Sequence, residues 1–106
     1  MAIAINIKDN PNHKIYQELD GAIYQLAFKH NQKFDFWTMD ILTEEGVVII
    51  YGIKIVANFR LLFQHKIKNL PKGEIIAQIA DKTARIGRNS FSSGVAQLIY
   101  LTENEL

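Results

Sequence analysis

The sequence predicts an all-β domain of about seven strands, closed as a small antiparallel barrel or a compact sandwich. Three observations carry this. Apolar side chains recur at every second position in successive segments, as in Ile3, Ile5 and Ile7 or Trp37, Met39 and Ile41; this is the period of a strand with one buried face. Clusters of turn formers separate those segments, among them DNPN at 9–12 and Asp20-Gly21. The longest apolar stretch, VVIIYGIKIVANFRLLF at 47–63, is rich in β-branched residues and contains Gly52, both unfavourable in a helix. No segment shows helical periodicity, and an open sheet of such strands would leave adhesive edges.

The elements follow in order. AIAINIK (2–8) alternates, and DNPN ends it. HKIYQEL (13–19) reads as a short strand, and Asp20-Gly21 is a strong two-residue hairpin signal, since both residues tolerate positive φ. AIYQLAFKH (22–30) is the return strand, with Ala22, Tyr24, Leu26 and Phe28 on one face. NQK turns the chain again into FDFWTMDIL (34–42), and TEEG turns it into the long apolar stretch. There Ile53, Ile55 and Ala57 alternate with Lys54, Val56 and Asn58. Gly52 reads as a bulge that lets the strand bend, and NFRLLF as a second short strand after a kink at Asn58. QHKIKNLPKG (64–73) is a basic loop, EIIAQIA (74–80) a strand, and DKTARIGRNSFSSG (81–94) a long loop of the kind that often carries function. VAQLIYLT (95–102) is the last strand and ENEL a polar tail.

A chain of 106 residues fits one domain, here the whole of 1–106 with residues 1–9 as an edge strand or interaction arm. The absence of cysteine removes disulfides, thiolate metal sites and thiol nucleophiles. The apolar stretch is too short for the roughly 20 uncharged residues of a membrane helix, and Lys54 and Arg60 interrupt it. The first ten residues lack the basic leader and apolar run of a signal peptide. Net charge is +1, but it is divided unevenly. Residues 1–53 hold four lysines against seven acids, a balance of −3; residues 54–106 hold eight basic against four acidic groups, a balance of +4. Such polarity suits orientation against a charged neighbour.

No catalytic signature is present. His13, His30 and His65 fall in separate turn or loop regions without ligand spacing, so no metal or cofactor is expected. Asp35 and Asp40, five apart on a strand, point to opposite faces and make a poor acid–base pair. Ser90, Ser92 and Ser93 lack a nucleophile elbow. Trp37, Phe59 and Phe63 read as core residues. A nucleic-acid-binding barrel is the alternative function: segment 54–88 holds eight basic residues and two acids, with Phe59 and Phe63 interleaved. The expected interface set is Ile3, Ile5 and Ile7 on the first strand, Lys66 and Lys68 in the basic loop, and Arg85, Arg88 and Phe91 in the long loop. Arginine forks suit carboxylates of a neighbouring subunit.

Several segments in order resemble the small baseplate plug proteins of contractile-tailed bacteriophages. They are NPNHKIYQELDGAIYQLAFKHN, FWTMDI with an acidic turn ending in Gly46, YGIKIVANFRLL, LPKGEIIA and VAQLIYL. The resemblance runs from about Asn10 to Glu103 and leaves AIAINIKD as the least family-like part. It implies a structural, non-enzymatic subunit at the distal end of the tail tube. It also implies hub, tube-end and spike proteins as partners, self-association, a place in the virion baseplate, and the host cytoplasm during assembly. An exposed edge at residues 2–8 would either pair with another chain or close within its own sheet.

Overall fold

The computed structural model describes residues 3–63, 65, 70–80 and 86–105. The strands among them are β1 (Ile3–Ile5), β2 (Asn12–Leu19), β3 (Ala22–Asn31), β4 (Phe36–Thr43), β5 (Val48–Lys54), β6 (Glu74–Ile79) and β7 (Ala96–Leu101). They form two antiparallel sheets, one in the order β2-β3-β4-β5 and one in the order β1-β7-β6. The sandwich expectation holds, and the barrel alternative does not, because the two sheets remain separate. β1 is short, and on the other side residues 57–60 meet β6 through the isolated bridges Ala57–Ala77 and Arg60–Ile76 rather than through a continuous ladder.

The four-stranded sheet is a meander made by tight turns. Asp20 and Gly21 have φ of 53° and 80° and set Leu19 opposite Ala22, as the two-residue hairpin requires. Alternation then turns Leu26, Phe28, Trp37, Met39, Ile41 and Ile53 inward, all buried. Gly52 lies where the β4–β5 register shifts, with φ of 70°. Its N–H donates to Asp40 Oδ1 at 2.7 Å, so this carboxylate, on the sheet's outer face, pins the bulge.

The three-stranded sheet joins distant parts of the chain. β7 lies between β1 and β6, with Ala4 opposite Ile99 and Ile76 opposite Ile99 on the other side. Ile5, Ile75, Ala77, Leu98 and Tyr100 meet the inward residues of the meander in one core. The first strand thus pairs within its own chain. Two expectations are corrected here. NFRLLF is not a strand: Asn58 turns with φ of 57°, its amide bonding the Ile79 N–H and C=O at 3.1 Å each. Phe59 and Phe63 are not core but 52% and 65% exposed, since the turn aims Leu61 and Leu62 inward instead. The tail residues Glu103–Glu105 form a 3-10 turn.

Candidate functional site

The long loop folds back over the start of β4 and is fastened there by hydrogen bonds between its backbone and side chains of the meander. Trp37, 1% exposed, donates from Nε1 to the Gly87 carbonyl at 3.0 Å. Asp35, in the turn before β4, accepts the Arg88 N–H at 2.9 Å and His30 Nε2 at 2.8 Å on the same oxygen, Oδ1. A carboxylate only accepts, so Nε2 carries the imidazole proton. Nδ1 of His30 is buried with no hydrogen-bond partner among the described residues. Gly87 makes room for this close approach: a Cβ there would stand 2.8 Å from Asp35 Oδ2, so the carboxylate would have to shift. Its N–H donates to Ser90 Oγ at 2.8 Å, so this serine closes the loop on itself.

Aromatic rings fill the space beneath. Phe91 meets Trp37 edge-on at 6.3 Å between centroids, and His30 and His13 lie 5.3 Å and 6.2 Å from the same ring. The histidine expectation is corrected accordingly. His30, on β3, stands directly opposite Trp37 of β4, and His13, on β2, stands opposite Phe28. Register therefore brings both imidazoles to the flanks of one tryptophan. Both His13 nitrogens and Nε2 of His30 are held by structural hydrogen bonds. Nε2 of His13 accepts the Lys8 N–H at 3.1 Å while Nδ1 donates to the Asn10 carbonyl at 2.7 Å. Among the described residues no group of acids and histidines is arranged to hold a metal ion.

Of the expected interface residues, the structure brings together Arg88 and Phe91. Arg88 spans the loop and the β1–β2 connection: Nη1 pairs with Asp9 Oδ1 at 2.7 Å and the guanidinium sits 5.7 Å from the Trp37 ring. Ile3 is exposed, Ile7 is half-buried against the core, and Ile5 belongs to the core. Lys66, Lys68 and Arg85 lie outside the described residues. Sequence reasoning misses Asp35, Gly87 and Trp37 as the loop's anchors. The Gly between Ile86 and Arg88 is the one signal that points to them.

The remaining buried polar groups also hold backbone. Glu74, 2% exposed, accepts the N–H groups of Leu62 at 2.6 Å and Ile75 at 3.0 Å, with Arg60 Nε at 3.5 Å from its other oxygen. Tyr100 Oη donates to Asp20 at 2.5 Å and accepts the Gly73 N–H at 2.8 Å. Burial pushes this hydroxyl far above its usual range, and the Asp20 hydrogen bond reinforces the shift. Burial, then the Asp20 charge, raises Tyr24 as well. At that end of the meander an open groove of about 920 Å³ runs past Asp20, Tyr24, Glu44, Glu45 and Lys72. It is a broad, open surface lined by turns and strand ends.

The fold and these contacts define an all-β sandwich in which ionisable side chains serve as braces for irregular backbone. The chain belongs to the family of the cyanophage baseplate Pam3 plug gp18, whose model it matches over residues 2–103. The match takes in all seven strands, including β1, the segment least like the family when the sequence is read alone. No curated protein matches the chain.

Proposed function

We propose that this chain is a structural subunit of a bacteriophage tail baseplate, a plug at the distal end of the tail tube, acting through protein–protein contacts without catalysis. The observation that carries the reading is the family match over nearly the whole chain. The geometry supports it: Glu74, Asp40, Asp35, His13 and Tyr100 each hold a backbone group in place, which makes a rigid body for docking. Its partners are the hub, tube-end and spike proteins, with copies of itself. It resides in the virion baseplate and passes through the host cytoplasm during assembly. The contacts fall on exposed Ile3 and half-buried Ile7, on the basic loop with Lys66 and Lys68, and on the loop carrying Arg85, Arg88 and Phe91. The single β domain 1–106 enters the assembly as one unit.

The test is fractionation of virions and of purified baseplates. The chain is expected in both, at a fixed ratio to the hub protein. Its absence from purified baseplates, or a salt-sensitive shift of a single-stranded oligonucleotide at comparable concentrations, would overturn the reading.

A further inference from the structure

Among the described residues the sandwich has four sheet edges, and three are protected. Residues 57–61 cover β6 through the Asn58–Ala77 and Leu61–Ile75 hydrogen bonds. The Gly52 bulge bends β5, and β1 is three residues long; bulges and short strands are ordinary ways to blunt an edge. β2 differs. It runs for eight residues against β3 without a register shift. The Pro11 carbonyl accepts the His30 N–H, which fixes the phase of the ladder. Residues 13, 15 and 17 therefore turn their backbone groups toward β3, and 14, 16 and 18 turn theirs away. The N–H and C=O of Lys14 and Tyr16 make no hydrogen bond among the described residues. An open groove of about 400 Å³ separates this edge from Ala4 and Asn6 at β1, so the edge is accessible.

The side chains along this edge are complementary to themselves. Lys14, Tyr16 and Glu18 share the outer face of the sheet, and Tyr16 is 66% exposed. Consider two such strands laid antiparallel about Tyr16. Tyr16 then faces Tyr16 of the second copy, and Lys14 faces its Glu18 on both sides. The same register sets the outward N–H and C=O groups opposite each other, so each of these pairs exchanges both hydrogen bonds. Opposite charges and paired aromatic rings directly across a ladder are favourable.

We propose that β2 pairs with β2 of a second copy of this chain, antiparallel and centred on Tyr16, joining two meanders into one continuous sheet. The contact is isologous, so the same residues serve on both sides of the two-fold axis. It deepens the reading of the chain as an assembly subunit and rests on that reading only for its purpose.

The experiment is sedimentation equilibrium of the full chain over a concentration series, with circular dichroism to confirm folding. The wild type is expected to dimerise. Tyr16→Pro removes an outward N–H and leaves the β2–β3 ladder intact, so it should yield a folded monomer. Lys14→Glu and Glu18→Lys should each weaken the dimer about tenfold, because each sets like charges opposite one another twice. The double variant Lys14→Glu/Glu18→Lys restores both pairs and should recover dimerisation. A monomeric wild type overturns the pairing. So does a dimer that is as tight in the single reversals as in the wild type, or a double variant no tighter than the singles. If the isolated chain is monomeric yet enters baseplates, the pairing fails and the plug reading stands. If it dimerises as described yet is absent from baseplates, the pairing stands and the plug reading fails.

Discussion

The two sheets are held by different means. The meander β2-β3-β4-β5 is made of neighbours in sequence. Its turns carry Asp20-Gly21, Asp35 or Gly46, all at positive φ, and its inward face is mainly hydrocarbon and aromatic surface. The sheet β1-β7-β6 joins residues nearly a full chain length apart, such as Ile3 and Tyr100. The irregular segments around it are fixed by polar side chains: Asn58 on Ile79, Glu74 on Leu62, Tyr100 on Gly73, Asp35 on Arg88. Local pairing rests chiefly on alternation and tight turns, with the Asp40 carboxylate added where the Gly52 bulge breaks the register. Distant pairing and long loops carry orphan backbone groups, and each needs a dedicated acceptor or donor.

The largest expected effect falls where the two systems meet. Trp37→Ala removes core volume and the anchor of Gly87, and should cost about 3–5 kcal/mol in urea unfolding. If the loss is near that of an ordinary surface change, Trp37 is not the joint between the meander and the loop. Glu74→Leu keeps the volume but leaves the Leu62 N–H without its acceptor and should cost about 2–3 kcal/mol. In amide exchange of the same variant, protection should fall at Leu61 and Leu62 while β3 and β4 keep theirs.

Tyr100→Phe should cost about 1–2 kcal/mol, since the Gly73 N–H loses its partner. It also has a pH signature. The hydroxyl titrates higher folded than unfolded, so its contribution is full below the unfolded value of about 10 and is lost as pH rises above it. Wild-type stability should decline from about pH 10 upward, and Tyr100→Phe should flatten that decline. An unchanged alkaline slope would show that Tyr100 is not the group responsible. The smallest effect is expected for Asp9→Ala, under about 1 kcal/mol, because its pair with Arg88 is solvent-exposed. A larger loss would mean that this pair, rather than Trp37 and Asp35, holds the loop.

What is legible in the sequence follows the same division. Strands β2 to β5 and their turns can be read from period-two alternation, Asp20-Gly21 and Gly52, because each is a local property. β6 and β7 are legible as strands, but their place beside β1 is not, since pairing across the chain leaves no periodic trace. Phe59 and Phe63 look like core because they stand in an apolar run. Only the turn at Asn58, fastened to Ile79 21 residues away, shows that they face outward. His13 and His30 look like unrelated turn residues for the same reason: their meeting at Trp37 depends on strand register. The interface expectation is readable as charge and loop length, whereas the Arg88–Asp9 pair, 79 residues apart, cannot be read at all.

Tail assembly in a phage lacking only this chain, followed by adding the purified protein back, tests the plug role outright. Baseplates should stall without it and be completed when it is restored. Complete, infectious tails assembled in its absence would mean that the chain is not a structural part of the baseplate.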